Sequence, residues 1–121
     1  MKVYLTNAFS LNMLQFGTDL TVNIRKLTVD EAKRVLAPEG HLDPGVVPAI
    51  GHTDTAAIVG GLLGLSEGDI ARMVEVAQSR PTVKMTGGDR AVVAQYIGPR
   101  LPEGTTKLPE GARIEFFLVE L

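Results

Sequence analysis

Segments of strand-forming residues, two of them with a clear two-residue alternation, interleave along this chain with segments that carry helix signals. Strands are predicted at residues 3–5, 20–25, 83–86, 90–97 and 113–120, and helices near residues 10–14, 28–36, 53–63 and 69–78. Because strands and helices interleave, they predict an α/β fold in which helices pack on a mixed sheet of about five strands. A length of 121 residues fits a single domain, residues 1–121.

For two of the predicted strands, the sequence also predicts burial or pairing. Leu20, Val22 and Ile24 alternate with polar residues, so this strand should bury one face. Residues 83–86 lead into the turn Gly87-Gly88-Asp89, and the next predicted strand follows directly. This arrangement predicts a β-hairpin.

Local signals mark the ends of the predicted helices. Thr28 and Glu31 have the Thr-x-x-Glu spacing of a capping box, which starts a helix. Gly17 should end the first short helix. Residues 37–48 contain three prolines and two glycines and therefore predict a loop. The pair Gly60-Gly61 lacks the spacing of a phosphate-binding loop, so it indicates close packing of a helix.

The composition excludes several classes of function. The chain has no cysteine, which rules out disulfides, thiolate zinc sites and cysteine nucleophiles. A net charge of −2 and an aromatic content of 5% disfavour duplex nucleic acid and broad base-stacking platforms. The first residues lack a secretory signal, and the most apolar run, residues 56–65, is about half of the ~20 residues that span a bilayer. We therefore expect a cytoplasmic protein with no membrane partner.

His52 is the first candidate for chemistry, because it directly precedes an apolar helix. A helix N-terminus attracts phosphate, and a histidine there is suited to protonate an oxygen that leaves a phosphate. The alternative is a capping or packing role. His41 lies in a loop, where a solvated side chain is expected. His41, Asp43, His52 and Asp54 match no regular zinc spacing, so we expect no metal site.

Other polar residues allow two interpretations each. Asn7, Ser10 and Asn12 follow the first strand, where ligands often bind in open α/β sheets, but they could equally cap a helix. Arg100 and Glu103 lie in a stiff, proline-rich loop. An arginine held there could bind a phosphate, although such residues are more often solvated on the surface.

Three segments together resemble one known family. Residues 3–14 read Val-Tyr-Leu-Thr-Asn-Ala-Phe-Ser-Leu-Asn-Met-Leu, which closely resembles the opening of the viral type III anti-CRISPR ring nucleases and their bacterial CRISPR-associated relatives. Ile50-Gly51-His52 matches a second segment, and Arg100-Leu101-x-Glu103-Gly104 matches a third, in the same order. The first motif is specific because it is nearly contiguous, whereas the other two are short.

The resemblance implies a metal-independent enzyme, without a cofactor, that cleaves cyclic tetra-adenylate and so shuts down type III CRISPR signalling. In that family a ribose 2′-hydroxyl attacks the adjacent phosphate, the 5′-oxygen leaves, and a 2′,3′-cyclic phosphate end remains. By resemblance, His52 would be the general acid, Arg100 would contact phosphate or the developing charge, and Glu103 would help to orient the site.

The resemblance also implies how the ring is held. Asn7, Ser10 and Asn12 would bind the ring, and Gln95 would be a further binding residue. The family acts as a homodimer, and a ring of four identical nucleotides contains a two-fold axis that such a dimer can match.

One departure and two alternatives accompany this interpretation. The stretch between His52 and Arg100 is longer here than in the archaeal viral members, with the extra length around residues 68–80, which bears on substrate preference more than on the reaction type.

A module that binds a cyclic oligonucleotide without cutting it would use most of the same residues. A small structural or DNA-associated protein is the other alternative, and the acidic balance speaks against it.

Overall fold

Five strands form one mixed sheet in the computed structural model, which describes residues 2–15 and 19–121. The strands are β1 (Val3–Thr6), β2 (Asn23–Leu27), β3 (Val46–Pro48), β4 (Arg90–Ile97) and β5 (Arg113–Glu120), in the order β2-β5-β4-β1-β3. β1 is parallel to β3 and β4, whereas β5 is antiparallel to β4 and β2. The predicted α/β architecture is confirmed.

Three α-helices and one 3₁₀ turn complete the described chain: α1 (Val29–Leu36), α2 (Thr53–Leu62), α3 (Glu67–Gln78) and the turn Leu11–Met13. The capping box forms as predicted, since the Thr28 hydroxyl accepts from the Glu31 amide and the Glu31 carboxylate accepts from the Thr28 amide. The predicted stop at Gly17 lies outside the described residues. No helix in the described ranges is long and apolar enough to cross a membrane.

All three α-helices pack on one face of the sheet, which we call the helical face. Its core contains Leu5 of β1, Phe116 of β5 and side chains from each helix. Gly60 of α2 lies so close to α3 that a Cβ there would be 2.6 Å from the Cγ1 atom of Ile70. Part of the predicted Gly60-Gly61 packing is therefore confirmed.

The opposite face of the sheet, the open face, has no α-helix packed on it among the described residues. Two irregular segments, residues 8–15 and 81–86, cover part of it. The Tyr4 hydroxyl donates to the Lys84 carbonyl at 3.0 Å, which holds the second segment over β1. Towards β2 the open face is less covered, and Ile24 is 58% exposed.

The predicted hairpin is wrong. Both edges of β4 are occupied, by β1 on one side and β5 on the other, so residues 83–86 cannot pair with it. That segment instead forms a single bridge, between Met85 and Leu14. Its alternation is real nonetheless, because Val83 and Met85 are buried on the open face.

Two further boundaries differ from the prediction. β2 begins at Asn23 rather than near Leu20, and the alternating apolar side lies on the less covered open face. β3 falls within the predicted loop, at the edge of the sheet, where the missing amide of Pro48 is tolerated.

The three parallel strands fix where the candidate residues lie. β1, β3 and β4 run in the same direction, so their carboxyl ends lie together at one end of the sheet. Asn7 follows β1, Gly51 and His52 follow β3, and Gly98 follows β4. This is the end at which open α/β sheets bind ligands. We call it the carboxyl end of the sheet.

Candidate functional site

An open cleft of about 760 Å³ lies at the carboxyl end of the sheet. Its walls come from the end of β1, the first turn of α2, the end of β4 and the loop that follows β4. The lining residues are Asn7, His52, Thr53, Asp54, Thr55, Tyr96, Gly98, Arg100, Leu101, Pro102 and Glu103. The volume lies within the roughly 300–1,000 Å³ that is typical of small-ligand sites.

Asn7 joins the first motif to the second. Its side-chain oxygen accepts a hydrogen bond from the Gly51 amide at 3.0 Å, across 44 positions of sequence. Because Gly51 directly precedes His52, this bond fixes the entry into α2 against the end of β1. Asn7 therefore has a structural role in the single chain and lines the cleft as well.

His52 is the N-cap of α2. Its Nδ1 atom lies 3.4 Å from both the amide nitrogen and the hydroxyl of Thr55, and the amide donates to it. Because Nδ1 accepts that bond, the neutral ring carries its proton on Nε2. The capping role that the sequence allowed is therefore present, and the exposed ring still lines the cleft.

The loop that carries Arg100 and Glu103 is attached at its root and at its tip. At the root, the Tyr96 hydroxyl donates to the Pro99 carbonyl. At the tip, Asp54 of α2 accepts from the Gly104 amide through Oδ2 at 3.2 Å. Gly104 has a φ of +81°, in the left-handed region that glycine adopts readily. The loop is thus tied to the first turn of the helix that His52 caps.

Arg100 and Glu103 line the cleft with exposed side chains. Within residues 2–15 and 19–121, neither forms an ion pair, although three ion pairs occur elsewhere on the surface. A cationic and an anionic group therefore stand at the cleft without a charged protein partner in the described part of the chain. Such groups can engage a ligand without first breaking an ion pair.

The other predicted ligand residues lie outside the cleft. Gln95 lines a second pocket of about 340 Å³ on the open face, together with Asn7 and Phe9. Asn7 lines both cavities, so the two are adjacent. Ser10 and Asn12 are exposed around the 3₁₀ turn, and the hydroxyl of Ser10 makes no capping bond there. The single chain thus brings Asn7, His52, Arg100 and Glu103 together, with Gln95 nearby.

Sequence reasoning assigned no role in the cleft to Thr55 and Tyr96, and it considered Asp54 only as a metal ligand. Asp54 and Thr55 follow a candidate histidine at the start of a helix, which is the only local signal they carry. In the ranges that the structure describes, no group of three His, Asp or Glu side chains is arranged to hold a metal ion.

Comparisons with known proteins point to one family. The family model for STIV B116-like proteins matches residues 3–117. Among solved structures, the fold is similar to B116 of Sulfolobus turreted icosahedral virus, with a TM-score of 0.72 and 33% sequence identity over 100% of both chains. No curated protein sequence matches the chain.

Proposed function

The chain belongs to the STIV B116-like family, and on that premise we propose that it is a metal-independent ring nuclease that cleaves cyclic tetra-adenylate and ends type III CRISPR signalling. The observation that carries the proposal is the cleft itself. Residues of all three motifs that resemble the ring nucleases line it, although Asn7, His52 and Arg100 are far apart in sequence. A purely structural role for these motifs would not require them to line one cavity.

The proposed reaction needs no metal ion or cofactor. The 2′-hydroxyl of one ribose gives up its proton to bulk water as its oxygen attacks the adjacent phosphorus, and the bond from phosphorus to the 5′-oxygen breaks. The products are linear, with a 2′,3′-cyclic phosphate at one end and a 5′-hydroxyl at the other. His52 donates the proton that the 5′-oxygen takes up as it leaves.

Charge at the cleft supports this chemistry. Negative charge develops on the phosphate oxygens during the attack, and the Arg100 guanidinium can hold two of them. The N-terminus of α2 adds a partial positive charge on the same side as His52. Glu103 is suited to orient Arg100 or the attacking ribose, because it follows three positions later on the same loop.

We propose further that the active form is a homodimer. A ring of four nucleotides is larger than the small ligands that fill a cleft of this size, so one chain would hold only part of it. The alternation of Leu20, Val22 and Ile24 predicts a buried face, yet Ile24 is 58% exposed in the single chain. An apolar surface of this kind favours contact with a second copy.

Incubation of the protein with cyclic tetra-adenylate in the presence of EDTA tests the activity, with chromatography of the products. We expect linear products with cyclic phosphate ends, and we expect His52→Ala to slow their formation by roughly 10²–10⁴-fold. His41→Ala is the matched control, because His41 is exposed in a loop outside the cleft.

Two results would contradict the proposal in different ways. A wild-type protein that binds the ring and leaves it intact would be a binding module, not an enzyme. A His52→Ala variant that cuts as fast as wild type would retain the reaction and remove His52 as its acid.

Analytical ultracentrifugation tests the dimer separately. Ile24→Glu should convert a dimeric wild type to monomers, because it places a charge on the apolar part of the open face. Val29→Glu is the control, since Val29 is also exposed but begins α1 on the helical face. A monomeric wild type that still cleaves the ring would overturn the dimer.

A further inference from the structure

We propose that Thr55 is a positioning residue that holds the His52 ring in one orientation in both of its protonation states. The inference rests on the proposed function, because only a histidine that exchanges a proton during the reaction needs such a partner. It goes beyond that function because Thr55 belongs to none of the three motifs and, in this proposal, acts on His52 rather than on the substrate.

The first observation is the burial of the Thr55 side chain. Thr55 is 5% exposed, and such a hydroxyl requires a hydrogen-bond partner. Among the described residues, the partner of its hydroxyl is Nδ1 of His52, at 3.4 Å. A buried hydroxyl at the wall of the cleft is thus within hydrogen-bond distance of the ring.

The second observation is that one residue offers the ring two different groups at the same distance. The Thr55 amide lies 3.4 Å from Nδ1 and can only donate. The Thr55 hydroxyl lies equally far away and can donate or accept. The neutral ring is therefore matched by the amide, and the charged ring, which carries a proton on Nδ1, is matched by the hydroxyl.

A general acid passes through both states. Before the reaction His52 must carry protons on both ring nitrogens, and the Nε2 proton then moves to the leaving oxygen. With the amide alone, the charged ring would direct an N–H group at another N–H group and would turn away. With the hydroxyl beside the amide, Nδ1 changes its partner while Nε2 keeps its direction.

The charged and titratable groups around the ring do not take over this role. Asp54 from α2, Arg100 and Glu103 from the loop, and Tyr96 from β4 line the same cleft. None of them forms a hydrogen bond with His52 in the described part of the chain, whereas Thr55 lies within hydrogen-bond distance through two atoms. Their charges act equally in wild type and in a Thr55 variant, so a difference between the two reports on Thr55.

The direct test is a ¹H–¹⁵N NMR titration of the histidine rings in wild type, Thr55→Val and Thr55→Ser. Valine has the shape of threonine without the hydroxyl, and serine retains the hydroxyl. In Thr55→Val we expect the titration midpoint of His52 to fall by about half a pH unit or more, since the charged ring loses its acceptor. Thr55→Ser should stay near wild type, and His41 serves as the unchanged internal reference in every sample.

Kinetics provide a second readout. In Thr55→Val the decline of kcat on the alkaline side should move to lower pH, with a loss of about three-fold or more near pH 8 and little change in KM. Thr55→Ser should restore the wild-type profile.

The NMR result decides the inference by itself. An unchanged His52 titration in Thr55→Val would overturn it, whether or not cyclic tetra-adenylate is cleaved. A shifted His52 titration in a protein that does not cleave the ring would support the Thr55–His52 pairing but overturn its role in catalysis. In that case it is the proposed function that has failed.

Discussion

The two ends of the sheet hold similar polar groups in opposite circumstances. At the amino end of β4, Asp89 is 5% exposed, and its carboxylate accepts hydrogen bonds from the Lys2 amide, the Thr86 amide and the Thr86 hydroxyl. At the carboxyl end, Arg100 and Glu103 are exposed and form no ion pair with the part of the chain that the structure describes. One end satisfies its charge internally, and the other presents its charges to the cleft.

The buried carboxylate of Asp89 contributes to the stability of the fold, whereas the exposed charges at the cleft are available to a ligand. Burial opposes ionisation of Asp89, but hydrogen bonds from the Thr86 and Lys2 amides outweigh it and hold the Asp89 pKa below its ordinary value. That carboxylate ties the start of the chain to the turn before β4. Arg100 and Glu103 form no ion pair within the described part of the chain. Substitutions at the two ends should therefore change different measured quantities.

The largest effect is expected at the cleft. Arg100→Ala should reduce the cleavage of cyclic tetra-adenylate by roughly 10²–10³-fold, because it removes a cation from the charge that develops on phosphate. The free energy of unfolding should change by less than about 0.5 kcal/mol. Arg72→Ala, on the exposed side of α3, is the control for a lost surface arginine. A large loss of stability without a loss of cleavage would make Arg100 a structural residue.

The opposite end should show the reverse pattern. Asp89→Asn should lower the free energy of unfolding by about 2 kcal/mol, because an amide group replaces an ionised acceptor of buried hydrogen bonds. Cleavage per folded molecule should not change. Chemical denaturation measures the first quantity, and Glu39→Gln, in an exposed loop, controls for the lost charge.

The same carboxylate predicts a pH dependence with a definite sign. Since the folded-state pKa of Asp89 lies below the ordinary value of 3.8, its stabilisation is complete well above pH 3.8 and is lost as the pH falls through the folded-state pKa. Wild type should lose its advantage over Asp89→Asn in that acid range. An advantage that stays constant down to pH 2 would show that Asp89 does not titrate as described.

A smaller effect is expected where the loop meets α2. Asp54→Ala removes the acceptor for the Gly104 amide, which frees the tip of the loop that carries Arg100 and Glu103. We expect cleavage to fall by about five-fold, the value of one ordinary hydrogen bond. Asp54→Asn retains an acceptor oxygen and should recover most of the rate. Equal losses of cleavage in both variants would mean that the charge of Asp54 matters, and not its hydrogen bond with the Gly104 amide.

The parts of the fold that sequence could predict depend on neighbouring residues. The capping box of α1 joins Thr28 to Glu31 within one helical turn, so its signal is complete within four positions of sequence. β5 contains a continuous apolar run, residues 116–119, within its eight residues. Such signals do not depend on what the rest of the chain does.

The predictions that failed concern features that depend on residues far apart in the sequence. Alternation at Val83 and Met85 correctly indicates two buried side chains, but pairing partners are decided by competition, and β1 and β5 occupy both edges of β4. In the cleft, His52 was recognisable from its place before a helix. The tether between Asp54 and Gly104 was not, because it joins residues 50 positions apart and neither has a distinctive local pattern.

The smallest expected effects come from α2, the helix that connects the cleft to the core. Gly61 is exposed, and a Cβ there meets no atom within 4 Å, so Gly61→Ala should stabilise the protein by about 0.5–1 kcal/mol through helix propensity. Gly60→Ala gains the same propensity but meets Ile70 at 2.6 Å, so overpacking should leave it less stable than wild type by about 1 kcal/mol. Thermal denaturation of the two variants measures the difference. Both should cleave at wild-type rates, because the strain lies at the α3 contact, two turns from His52. A loss of cleavage in Gly60→Ala alone would mean that the position of α2 on α3 also sets the position of its N-cap.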